Sequence, residues 1–65
     1  MIDFSRPVKT KNGYEVINIS VKHTDKEAFV VNGTIVISKS IKRNEWWTID
    51  GKKELYKPTQ WDLTN

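Results

Sequence analysis

Apolar residues fall in short runs along this chain, alternating with polar ones in "EVINISV" (15–21) and adjacent to one another in "AFVV" (28–31), "TIVIS" (34–38) and "EWWTI" (45–49). A period of two with β-branched side chains predicts strands. No apolar period of 3.6 outlasts a single turn, so helix is expected at most as one turn in the closing "KPTQWDLTN", after Pro58 and capped by Thr59. Asn12-Gly13, Asn32-Gly33 and Asp50-Gly51 each lie between strand-like runs, where such pairs signal hairpins because both central turn residues take positive φ. The expected strands cover residues 7–11, 14–21, 28–31, 34–38, 45–49 and 53–56, with a polar turn at 23–27 and a longer polar connection at 38–44. The fold these imply is all-β. It is one domain spanning 1–65, a small antiparallel meander of about five or six strands, closed or nearly closed into a barrel.

The alternation breaks in informative places. Ile17, Ile19 and Val21 share one parity and are assigned to the core, yet Tyr14 and Val16 in the same run fall on the other. A bulge near Val16 or a second covered face resolves the conflict. Val16, Val30 and Val36 are otherwise expected to point outward, where contact with another subunit would cover them. In "EWW", Trp46 and Trp47 must face opposite ways on a regular strand. The core side is expected to hold Trp47 and the outer side Trp46.

A chain of 65 residues makes a thin core, and small domains usually rely on a disulfide, a metal or self-association. Cysteine is absent and His23 is the only histidine, which excludes a disulfide and a zinc site of nitrogen and sulfur ligands. Assembly into a homo-oligomer is therefore expected. No apolar run approaches a membrane span, and a cytoplasmic location in the host cell is expected.

The formal charge of +3 leans toward anionic partners. The most basic stretch, "KSIKRNEWW", joins cations to aromatics. Bases stack on aromatic rings for about 1–3 kcal/mol each, commonly beside cations. The candidate ligand-binding set is Trp46 and Trp47 for stacking, Lys39, Lys42, Arg43 and Lys52 for phosphate, and Asn44 and Thr48 for polar edges. Trp61, ahead of Leu63, is expected to plug the end of the barrel, and Asp62 to cap a turn. Phosphate-loop, nucleophile-elbow and histidine-pair motifs are missing, and the carboxylates are scattered among lysines. No catalytic residue, metal site or cofactor is assigned, and the chain is not expected to be an enzyme.

The opening "DFSRPVKTKNGYEVINI", with "WWTIDGK" and the closing "WDLTN", resembles a pattern of small phage accessory proteins: Phe-x-x-x-Pro-Val-x-Thr-x-[Asp/Asn]-Gly, then Trp-x-x-Asp-Gly, then Asp-Leu. The matching positions are Phe4, Pro7, Val8, Thr10, Gly13, Val16, Ile17, Trp46 or Trp47, Asp50, Gly51, Asp62 and Leu63. Some compact, oligomeric phage proteins are sponges for the cyclic nucleotide signals of bacterial immunity. The resemblance implies that kind of anti-defence role, a non-catalytic protein that sequesters an anionic, base-containing ligand. A nucleic-acid-binding module and an inhibitor of a host enzyme are the alternative readings, and both would use the same outward tryptophan.

Overall fold

The computed structural model describes residues 2–65. Five strands form one antiparallel sheet: β1 (Val8–Thr10), β2 (Glu15–Val21), β3 (Phe29–Val36), β4 (Lys42–Thr48) and β5 (Leu63–Thr64). Their order across the sheet is β4-β3-β2-β1-β5, so the first four strands meander and β5 returns to pair with β1. The sheet curls into a half-barrel. Among the described residues there is no helix, and so none long and apolar enough to cross a membrane.

Two bulges in neighbouring strands account for the curl. The β2–β3 register runs from Ile17↔Thr34 to Ser20↔Asn32, which leaves one extra residue on β2, and Asn18 sits there at φ 54. Asparagine tolerates that left-handed backbone better than a β-branched residue does. The β3–β4 register runs from Phe29↔Thr48 to Val31↔Trp47, which makes Val30 the extra residue on β3. Each bulge bends its strand and increases the local twist.

The bulge at Asn18 also switches which parity faces the core. Val16 is buried before it, Ile19 and Val21 pack on the core after it, and Ile17 is left on the outer face opposite Thr34. The expected trio of Ile17, Ile19 and Val21 is therefore corrected to Val16, Ile19 and Val21. Val16 and Val30 are covered by the domain itself, with no subunit contact needed, and only Val36 stays half-buried on the outer face.

The hairpin at Asn12-Gly13 forms, but Gly13 alone takes positive φ (96), and its N–H donates to the Thr10 carbonyl so that Lys11 and Asn12 are the central turn residues. Asn32-Gly33 does not turn. It lies in the middle of β3, so the two strands expected at 28–31 and 34–38 are one. Gly33 is there for space: a Cβ on it would lie 2.8 Å from Val16 Cγ1 and 3.4 Å from Trp47 Cζ3. The chain reverses instead at residues 38–41, where the Ile37 and Ser38 N–H groups donate to the Ile41 carbonyl. Asp50-Gly51 does turn, with Gly51 at φ 83, but residues 53–56 beyond it form bends rather than a strand.

The core consists of Val8, Val16, Val30, Val31, Ile35, Trp47 and Leu63, with Ile2, Phe4, Tyr14, Ile37 and Trp61 packed around it. The segment after Gly51 covers the open side of the half-barrel. Leu63 N–H donates to the Gly51 carbonyl at 2.8 Å, and Asp62 gathers the Lys53 and Thr59 N–H groups and the Thr59 hydroxyl. Asn65 ties the C-terminal segment to the N-terminal one by donating to the Asp3 and Pro7 carbonyls.

Candidate ligand-binding face

Register on β4 sorts the candidate residues. Directly opposed residues of an antiparallel pair share a face. Trp47 lies against inward Val31, so Trp47, Glu45 and Arg43 face the concave side, while Trp46 opposite Asn32, Asn44 opposite Thr34 and Lys42 opposite Val36 face the convex side. Trp47 is fully buried and Trp46 is 37% exposed.

On the convex face the Lys22 ammonium lies 4.6 Å from the centre of the Trp46 ring, a cation–π contact. Lys22 also pairs with Glu27 at 3.2 Å. Beside the ring, the Asn32 amide donates to Asn44 Oδ1 at 2.9 Å and to the Glu45 carbonyl at 3.1 Å, while the Asn44 amide donates to the Gly33 carbonyl at 3.3 Å. Trp46 thus stands next to a fixed amide pair, with a mobile-stemmed cation over one ring face and Lys42 further along the same strand.

On the concave face the polar residues are already engaged. Arg43 bonds Glu45 at 3.0 Å, Lys53 reaches the other oxygen of Glu45 at 3.3 Å, and the Arg43 guanidinium lies 5.7 Å from the Trp61 ring centre. Tyr14 stacks on Trp61 with an interplanar angle of 8°, and the Trp47 indole donates to the Trp61 carbonyl at 2.8 Å. Trp61 is therefore half-buried on the concave face, held by Tyr14, Arg43 and Trp47.

The eight candidate residues do not share one surface. Trp46, Lys42 and Asn44 are together on the convex face, and Arg43 belongs to the concave ion-pair cluster. Trp47 is core, and the Thr48 hydroxyl accepts from the Lys52 N–H at 3.0 Å inside the turn. Lys39 and Lys52 lie beyond opposite ends of β4, roughly 20 Å apart by strand rise. The residue that sequence reasoning missed is Lys22. Its signal was the parity of β2: Ser20 opposes Asn32 and Asn32 opposes Trp46, so Lys22 shares their face. That parity is readable only when β3 is taken as one strand.

A separate cleft of about 410 Å³ lies between the Asp50-Gly51 turn and residues 55–58. Lys11, Lys52 and Lys57 line it with Tyr56, whose ring is almost wholly exposed, and Asp62 forms part of its wall. Burial of Asp62 acts to raise its pKa, but the bonds from Lys53 and Thr59 and the charge of Lys11 outweigh it and hold the carboxyl below its ordinary value. Asp62 is thus a charged keystone of the C-terminal turn.

No family model, no curated protein and no solved structure matches this chain.

Proposed function

We propose that this chain is a non-catalytic binding protein for an anionic, base-containing ligand, and that the convex face around Trp46 is its platform. The observation that supports this reading is the outward Trp46 ring with Lys22 poised over it. A base slides onto the ring, and Lys22 swings on its flexible stem from ring to phosphate. Asn32 and Asn44 offer polar edges alongside, and Lys42 meets a second phosphate. The platform is open, which suits an extended single strand of nucleic acid crossing β4.

A second reading is supported by the cleft. Its volume lies in the range of small-ligand sites, and Lys11, Lys52 and Lys57 beside Tyr56 suit a compact nucleotide. That form corresponds to a cyclic nucleotide sponge, the phage anti-defence role implied by the resemblance.

Titration with a thymidine oligonucleotide and with cyclic nucleotides, at several salt concentrations, separates these readings. On the platform, binding falls steeply with salt. Trp46→Ala weakens it by about 5- to 150-fold, equivalent to the loss of about 1–3 kcal/mol of stacking. In the cleft, Lys52→Ala and Tyr56→Ala weaken cyclic nucleotide binding, and Trp46→Ala leaves it unchanged. Absence of binding to both ligands overturns the nucleotide reading and leaves exposed Trp46 to a protein partner.

A further inference from the structure

Strand β4 is an edge of the sheet, and its open side has a pattern that pairs with itself. The Asn32 amide donates to the Glu45 carbonyl and the Asn44 amide to the Gly33 carbonyl, which places the backbone groups of the opposed pair Gly33 and Glu45 between β3 and β4. Backbone groups alternate sides along an antiparallel strand, so Lys42, Asn44 and Trp46 turn their N–H and C=O groups to the open edge. No backbone hydrogen bond to a residue outside the sheet involves Lys42 to Trp47 among the described residues, although Thr48 is engaged by Lys52.

We propose that β4 pairs antiparallel with β4 of a second copy about a two-fold axis at Asn44, joining two five-stranded sheets into one. Geometry and charge select this register. The edge-facing residues are Lys42, Asn44 and Trp46, so the hydrogen-bonded pairs are Asn44 with the partner's Asn44 and Lys42 with the partner's Trp46, about six backbone bonds in all. The residues between them then place Arg43 opposite the partner's Glu45 on the concave face, twice by symmetry. A slip of two residues one way puts Arg43 opposite the partner's Arg43. A slip the other way puts Glu45 opposite the partner's Glu45. Like charges directly opposed are unfavourable, so of these three registers only the central one opposes unlike charges. The same register brings Lys42 beside the partner's Trp46 on the convex face and extends the cationic platform across both copies. Edge strands are commonly blunted with charge to prevent pairing. Here the charges exclude the shifted pairings and favour one.

This names the interface for the expected self-association and does not depend on which ligand binds. It is therefore tested by mass in solution without nucleotide. Sedimentation of the full chain should show a concentration-dependent species of twice 7.6 kDa. Arg43→Glu replaces both attractions with repulsions and should raise the dissociation constant about tenfold or more. The exchange Arg43→Glu with Glu45→Arg restores the opposed signs and should restore the dimer. Asn44→Pro removes an edge N–H together with the amide bonds to Asn32 and the Gly33 carbonyl, so it should give monomer at some cost in stability while keeping the β-rich circular dichroism of the wild type. A wild-type chain that stays monomeric at the highest soluble concentration overturns the proposal. So does a dimer whose mass is indifferent to Arg43→Glu, and that variant keeps the test decisive should Asn44→Pro fail to fold.

Discussion

Replacing Gly33 with alanine puts a methyl carbon 2.8 Å from Val16 Cγ1 and 3.4 Å from both Ile19 Cγ1 and Trp47 Cζ3. A carbon pair does not tolerate 2.8 Å, so Val16 or the backbone of β3 must move. Val16 and Trp47 are both buried in the core, which leaves little room to yield. Overpacking of this kind costs about 1–3 kcal/mol. In an unhindered strand the same change gains about 0.5–1 kcal/mol, because glycine loses the most conformational freedom on folding. The sign of the effect thus reports whether Gly33 is packed. At about 4–8 °C per kcal/mol for a domain of this size, Gly33→Ala should lower the melting temperature by about 5–20 °C. Val16→Ala removes the clashing methyl, so the double variant should be less destabilised than the sum of the singles by more than about 0.5 kcal/mol. Thermal and urea unfolding followed by circular dichroism measure all three. A neutral or stabilising Gly33→Ala, or strict additivity with Val16→Ala, would refute the packing of β2, β3 and β4 described above.

Trp47→Ala removes a fully buried ring and its bond to the Trp61 carbonyl, and should cost about 3–5 kcal/mol in urea unfolding, while Trp46→Ala should cost far less. Asn18→Val places a β-branched residue at φ 54 and should cost about 1–2 kcal/mol, with Asn18→Gly close to neutral. Asp62 has a folded pKa below its unfolded value, so its contribution is complete above the unfolded pKa and is lost as pH falls through the folded one. Wild-type stability should therefore drop on acidification below about pH 4, and Asp62→Asn should be less stable at neutral pH but flatter across that acid range, as read from urea midpoints against pH.

Asn12-Gly13 and Asn32-Gly33 are the same dipeptide with opposite outcomes, and the contrast marks how far the sequence could be read. A turn signal is local, and at Gly13 nothing competes with it: the residue is exposed, has no atom near its missing Cβ and takes positive φ. At Gly33 the backbone is an ordinary strand, because a glycine there lets the Trp47 ring and Val16 close over β3. That is a tertiary demand, and no window of ten residues displays it. The parity conflict in "EVINISV" did signal a bulge, found at Asn18 rather than at Val16, since asparagine is the residue in the run that accepts left-handed backbone. The opposite facing of Trp46 and Trp47 was legible because it needs only a regular strand. The grouping of cations around them was not. Proximity in sequence placed Arg43 and Lys52 beside Trp46, whereas the sheet turns Arg43 to Glu45 and Trp61 and brings Lys22 from two strands away. Strand β5 was missed as well, for Leu63–Thr64 is too short to show a period.

The platform at Trp46 is tested most directly by the three tryptophan indole N–H signals in a nitrogen-15 correlation spectrum, recorded during titration with a thymidine oligonucleotide. The Trp47 signal should exchange slowly with solvent and stay in place, since its indole is buried and bonded to the Trp61 carbonyl. The Trp46 signal should move progressively, and the movement should weaken in Lys22→Ala and shrink with added salt. Movement confined to Trp47 or Trp61, or a Trp46 signal that stays fixed at saturating oligonucleotide, would contradict a base-stacking role for the convex face.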